Sequence, residues 1–394
     1  MDVNTGAPQR APLQARFQRL LATCAAMDAS DLHLVPGQPP LLRREGQLSA
    51  IESEPPLTVL ELHNLAADLL GKGQAQDLAT RGDCDGALTA AGARFRFNVF
   101  KRCDGLCAAF RRLGEGFRGL RELGLPESLY QLCELPDGLV LVAGPTGAGK
   151  STTLAALLDR INRNHACNII TIEDPIEYVH TAGQGLVSQR QVGTDCSGFY
   201  EALVAALRED PDVIFVGEIR DLDTIRTAIT AAETGHLVFT TVHAGDCVGV
   251  IERMVSVFPA SEQDGIRRQL SFVLRAVITQ QLLICDGGTP ARRNGTPDRR
   301  SRVVASEVLM VNGAVANLIA TAKSSQIYSA MEVGGTQGMQ TLEQDLARLH
   351  VAGHISETAA LAFAKNPRTL RDRVNHLRVG SRPASPSIPR EAPQ

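Results

Sequence analysis

The stretch Gly144-Pro-Thr-Gly-Ala-Gly149-Lys150-Ser151 constrains this chain more than any other. It fits G-x-x-x-x-G-K-[ST], follows the apolar run LVLVA (139–143) and precedes the helical pattern TTLAALLDRI, the strand–loop–helix context that gives the motif its meaning. The glycines let the backbone curl so that successive N–H groups point inward at phosphate oxygens, and a helix N-terminus adds positive partial charge. Gly144, Pro145, Thr146, Gly147, Ala148, Gly149, Lys150, Ser151 and Thr152 are therefore the expected nucleotide-binding residues. Lys150 is placed to reach the β- and γ-phosphates of ATP, and the Ser151 hydroxyl to bind Mg²⁺.

Short continuous apolar runs alternate with helical stretches after this loop: NIITIE (168–173), DVIFVG (212–217) and HLVFTTV (236–242). Such runs read as strands of a parallel sheet covered on both faces, so the fold class is α/β. VVASEVLMV (303–311) is a further candidate strand, and helical patterning returns from Gly338 to Leu377 with a break at Asn366-Pro367. The first 113 residues differ in character. They hold a helix from Leu13, a second from Thr58 (as N-cap) to Leu70 with Gly71 as its stop, and a hairpin over 93–113 turning at Asp104-Gly105. The expected organisation is a loose N-terminus (1–12), a small α+β domain (13–113), a Gly-bearing linker (114–125), an ATPase domain with C-terminal helices (126–377) and a disordered tail (378–394).

Composition excludes several alternatives. A formal charge of −3 and 4% aromatic residues argue against a strand-binding channel for nucleic acid. No uninterrupted apolar run reaches the roughly 18 residues of a membrane-spanning helix, and the first twenty residues lack the apolar core of a secretory signal. Nine scattered cysteines with no CxxC pair suggest reduced thiols in a cytosol and no zinc site. These features predict a multidomain intracellular chain.

Carboxylates supply the other half of the chemistry. Glu218 ends the run DVIFVGE, and the C-terminal end of such a strand faces the crevice where ligands bind in open α/β sheets, so it is placed to organise Mg²⁺ or water. Glu173, Asp174 and Glu177 lie within five positions of one another just past another strand. A hydrolase needs a base beside its attacking water, and a carboxylate near phosphate fills that role, although such a cluster taken alone is more often a solvated turn. His236 and His243 bracket LVFTTV; seven strand residues span roughly 23 Å and an odd offset puts the two rings on opposite faces, so they cannot share one metal. Arg94, Arg96, Arg111 and Arg112 are either solvated hairpin charges or groups that meet a neighbouring nucleotide.

GPTGAGKSTT (144–153), TIEDPIEYVH (171–180), ALREDPDVIFVGEIRDLDTIRTAITAAETGHLVFTTVHA (206–244) and GGTQGMQTLEQDLARLHVAGHIS (334–356) together resemble the traffic ATPases of secretion and pilus machines, within them the retraction motors of type IV pili. The likeness runs from about Ala29 to about residue 367. It implies a PAS-like N-terminal domain followed by a RecA-like ATPase domain, assembled as a homohexamer at the cytoplasmic face of the inner membrane and driving a platform protein there. It also implies Glu177 as catalytic base supported by Glu173 and Asp174, and Glu218 as the Walker B glutamate near Mg²⁺. In the same way His236 and His243 become coupling histidines, and Arg96 and Arg111 become N-domain arginines that close on phosphate.

Two points bear on the branch. Relatives of the assembly and secretion branches usually carry a tetracysteine insert, and none is present here. The retraction branch's motif Ala-Ile-Arg-Asn-Leu-Ile-Arg-Glu has as its counterpart Ala314-Val-Ala-Asn317-Leu-Ile-Ala-Thr321, which keeps Asn317 and the apolar positions but lacks both arginines and the glutamate. The alternatives are a related motor of a type II or type IV secretion system or, from another class, a P-loop phosphotransferase, which would need an acceptor pocket and a lid.

Overall fold

The computed structural model describes residues 10–380 apart from 45, 115, 286–291, 294–295 and 298–301. Most of the loose ends and of the Arg-rich segment between Cys285 and Val303 falls outside those residues. By their contacts the described residues form two compact units, one holding those up to Arg118 together with Ala155–Thr240, the other holding Gly119–Leu154 with those from Thr241 onward.

The N-terminal part comprises α1 (Arg10–Ala26), β1 (Asp31–Leu34), β2 (Leu41–Arg44), β3 (Gln47–Ala50), α2 (Val59–Leu69), α3 (Lys72–Thr80), β4 (Asp83–Ala90), β5 (Ala93–Arg102) and β6 (Gly105–Arg112). Its six strands form an antiparallel sheet in the order β3-β2-β1-β6-β5-β4. The expected hairpin is β5–β6, and its alternation is real: Phe95, Phe97 and Val99 are buried while Arg94, Arg96 and Asn98 are half-exposed. Leu20, Leu21 and Leu62 from the helices cover that apolar face. Helix α2 starts at a capping box in which the Thr58 hydroxyl accepts from the Glu61 N–H at 3.2 Å and the Thr58 N–H donates to the Glu61 carboxylate at 2.7 Å, a pairing worth about 1 kcal/mol. Helix α1 begins at Arg10, three residues before the expected start, and α3 and β4 were not foreseen. Gly86 of β4 is required by packing, since a Cβ there would sit 2.3 Å from the Phe97 ring.

After a short helix α4 (Leu120–Leu123) come β7 (Gly138–Ala143), α5 (Lys150–Asn164), β8 (Asn168–Glu173), β9 (Leu186–Gln191), α6 (Phe199–Ala206), β10 (Val213–Val216), α7 (Leu222–Glu233), β11 (Leu237–Val242), α8 (Cys247–Ser256), α9 (Ala260–Val273) and β12 (Leu274–Ile284). The two-residue strands β13 (Arg292–Arg293) and β14 (Thr296–Pro297) precede β15 (Arg302–Met310), α10 (Gly313–Ala320), α11 (Ile327–Val333), α12 (Leu342–Val351), α13 (Glu357–Phe363) and α14 (Pro367–Gly380). Each unit also holds strands of this second group. In the first unit its strands lie in the order β11-β10-β8-β9, all parallel. In the second unit they lie in the order β15-β12-β7, with β7 parallel and β15 antiparallel to β12. Every residue of β7, β10 and β11 is buried, as expected of strands covered on both faces.

The C-terminal helices sit on β12 and β15 through Leu283, Ala305, Leu342, Leu346 and Leu370. Buried carboxylates pin them there. Asp345 accepts from the Ser306 N–H at 2.8 Å and from Arg348 at 2.7 Å. Glu307, 1% exposed, accepts from the Cys247 N–H at 2.9 Å and from Lys365 at 2.8 Å.

Candidate active site

The glycine loop joins the end of β7 to the start of α5, as the motif requires. Gly144, Gly147 and Gly149 all have positive φ (144°, 79° and 92°), a left-handed path that L side chains resist. Gly144 is also sterically obligatory: a Cβ there would lie 2.3 Å from the Gln280 carbonyl oxygen of β12. Lys150 Nζ folds back to donate to the Gly144 and Pro145 carbonyls at 3.0 and 3.2 Å, so the ammonium already lies over the loop's concave side. Ser151 and Thr152 stand half-exposed in the first turn of α5. Behind them, Thr153 exchanges hydrogen bonds with the buried Gln280 amide at 2.9 and 3.1 Å, anchoring the helix start to β12. This cradle fits a polyphosphate. Among the described residues no group of three or more His, Cys, Asp or Glu side chains could hold a metal by itself.

The acidic segment starts at the C-terminal end of β8. Glu173 is 8% exposed, accepts from the Thr171 hydroxyl at 2.7 Å and from Gln189 Nε2 at 3.1 Å, and burial raises its carboxyl above the ordinary range. A carboxylate so enclosed is suited to holding the segment in shape. Glu177 is half-buried, and its backbone N–H also serves Glu173. Desolvation, with Asp85, raises the carboxyl of Asp174 against the opposing charges of Arg96 and Arg220. Gln189 of β9 gathers the rest, donating to the Tyr178 carbonyl at 2.8 Å and accepting from the His180 N–H at 2.8 Å. Glu218 follows β10 and Gly217; Arg220 grips it by two contacts, one from Nη2 to Oε2 at 2.8 Å and one from Nε to Oε1.

His236 and His243 stand at opposite ends of β11, so the structure does not bring them together. His236 Nδ1 lies 2.8 Å from the Ala231 carbonyl and 3.2 Å from the Thr234 hydroxyl, at the end of α7. Arg96 and Arg111 are register partners on β5 and β6 and so share one face. Arg96 pairs with Asp85 at 3.6 Å and Arg111 with Asp31 at 2.9 Å. The hairpin arginine that touches the acidic segment is Arg94, whose Nε and Nη2 donate to the Ile176 carbonyl at 3.2 and 3.1 Å.

Residues 91–357 match the family model described as "Type II/IV secretion system protein". The chain belongs to this family. It is 46% identical over 349 residues to the "Type IV pilus retractation ATPase PilT" of Pseudomonas aeruginosa, covering 88% of this chain and 98% of that one. It is 41% identical over 332 residues to a "Twitching motility protein" of Neisseria gonorrhoeae, covering 84% of this chain and 86% of the relative. Among solved structures it superposes with TM-score 0.81 at 41% identity on the "Pilus Retraction Motor PilT and Bound ADP", covering 90% of this chain and 98% of that chain.

Within this type II/IV secretion family member, three site residues, Gln280, Gln189 and Arg220, are not identified by sequence alone. Gln280 and Gln189 are partners of motif residues across 127 and 16 positions, and no local pattern distinguishes them from other glutamines. Arg220, two residues beyond Glu218, was within reach of a spacing argument. Arg94 is one of four hairpin charges in the sequence, and alternation assigns it a face without naming a partner.

Proposed function

We propose that the chain is an ATP-hydrolysing motor of the pilus-retraction type, working as a homohexamer on an inner-membrane platform protein from the cytoplasmic side. Its N-terminal part is then the PAS-like domain and its P-loop part the RecA-like domain. The observation that carries the reading is the glycine loop of residues 144–152 with Lys150 folded back onto it, in a chain that matches a named retraction ATPase along 98% of that relative's length.

In this reading the loop N–H groups and Lys150 hold the β- and γ-phosphates, and developing charge is met by donors fixed before the reaction starts. Mg²⁺, when bound with ATP, supplies charge neutralisation, with Ser151 and Glu218 as the residues that would hold it and Arg220 releasing Glu218. Glu177 is the base that orients and deprotonates water; Glu173 is too enclosed for that task, and with Asp174 it supports the segment. His236 and His243 relay the state of the strand ends to the domains, and Arg96 and Arg111 close on phosphate.

A related motor of a secretion machine is the second reading. It is favoured by α10, where Ala316 and Ala320 occupy one helix face at the positions of the two missing arginines. Gene deletion separates the two: excess surface pili with lost twitching supports retraction, loss of pili supports assembly, and unchanged pili with lost export supports secretion.

A further inference from the structure

The segment Ile176–His180, which contains the proposed base, is held at both ends by residues of the first 118. At one end the Arg94 fork spans three acceptor contacts: two on the Ile176 carbonyl and one, through Nη1, on the Thr89 hydroxyl at 3.1 Å. The other side of the same residue is fixed too, since the Ile176 N–H donates to Gln191 Oε1 at 3.3 Å. At the far end the Phe117 ring stacks on His180 with centroids 4.6 Å apart and planes at 25°, and it leans on Tyr178 at 5.9 Å. Burial lowers the His180 imidazole to about 4, so it is neutral near pH 7 and the stack is one of uncharged rings. Phe117 belongs to the connector, and Arg94 to the β5–β6 hairpin of the antiparallel sheet.

We propose that Arg94 is a positioning residue which, with Phe117 as a second clasp, sets where the Glu177 carboxylate stands by fixing the peptide immediately before it. Arg94 then works through the backbone, whereas Arg96 and Arg111 work on phosphate. A motion of the N-terminal part that lifts Arg94 from the Ile176 carbonyl displaces the base and halts turnover without touching the phosphate cradle. A displacement of about 1 Å in a reacting group costs on the order of 100-fold in rate, so one clamp is enough for control.

This inference rests on Glu177 being the base, and its test separates the two claims. Full-length Arg94→Ala should hydrolyse ATP ten- to 100-fold more slowly with its nucleotide dissociation constant changed less than twofold. Arg94→Lys should recover only part of the rate, because an ammonium cannot span both Ile176 and Thr89. Phe117→Leu, which keeps apolar bulk, should slow turnover less than tenfold and serves if the arginine variant does not fold. Combining Arg94→Ala with Glu177→Gln should slow turnover no further than Glu177→Gln alone, since one residue acts through the other. Amide exchange across 174–180 should accelerate in Arg94→Ala whatever the identity of the base. Parental exchange in that segment would overturn the positioning role. A rate loss matched by an equal loss of nucleotide affinity would overturn it in favour of direct phosphate contact. Parental turnover in Glu177→Gln with faster exchange in Arg94→Ala would refute the base assignment while leaving the clamp standing.

Discussion

Replacing Gly144 by alanine tests how far the proposed phosphate cradle depends on one missing methyl group. Two costs act together. The residue's φ of 144° lies outside what L residues adopt readily, a strain of about 1–3 kcal/mol. The new Cβ would also stand 2.3 Å from the Gln280 carbonyl and 3.1 Å from the Ala148 Cβ, so the loop must retreat by about an ångström from a strand that is buried at this point, at about 1–3 kcal/mol more. Retreat moves the Gly144 carbonyl that Lys150 holds and turns the loop N–H groups away from phosphate. Expressed as lost affinity, the combined cost of about 2–6 kcal/mol is roughly 30- to 25,000-fold. The assay is titration of a fluorescent ATP analogue beside thermal unfolding, with Gly265→Ala as control. Gly265 lies in helix α9 with open space around its Cβ position, so that change should raise stability by up to about 1 kcal/mol and leave binding alone. A Gly144→Ala protein that binds within twofold of the parent would show that the loop geometry is not what holds the nucleotide.

Other consequences can be checked separately. Lys365→Met leaves the buried Glu307 without its counter-charge and should cost about 3 kcal/mol in urea unfolding, with much of it recovered by adding Glu307→Gln. Arg96→Ala and Arg111→Ala should each reduce turnover while leaving ATP affinity in place; unaltered rates in both would return them to the status of solvated charges paired with Asp85 and Asp31. Glu252 is held below the ordinary carboxylate range, chiefly by its hydrogen bonds from Arg267. A carboxyl depressed in the folded state adds stability above its unfolded value of 4.5 and loses it as pH falls through the folded one, so Glu252→Gln should flatten the acid limb below about pH 4.5 in a midpoint-versus-pH series.

What the sequence disclosed follows from how local each signal is. The β7–loop–α5 unit was legible because its apolar run, glycines and helix start are contiguous, and each is needed for one short-range reason. The alternation of β5 and the Thr58 cap were legible on the same ground. Strand β12 was missed because α9 ends at Val273 and β12 begins at Leu274, with no turn residue between them to mark the change of period. β9 reads LVSQRQ, an outermost strand with only one buried residue, so neither a clean alternation nor an apolar run announces it. At the site, alternation placed Arg94 and Arg96 on one face. Which of them meets the acidic segment is decided by a contact spanning 82 residues.

The most direct measurement of the central claim is ATP turnover by the purified chain beside nucleotide-binding isotherms for Lys150→Ala and Glu177→Gln. Lys150 is the fixed charge over the cradle, so its loss should weaken binding and abolish hydrolysis. Glu177→Gln keeps the shape of the segment and should bind ATP normally while losing turnover. Parental hydrolysis by Lys150→Ala would contradict the assignment of this loop as the ATPase site.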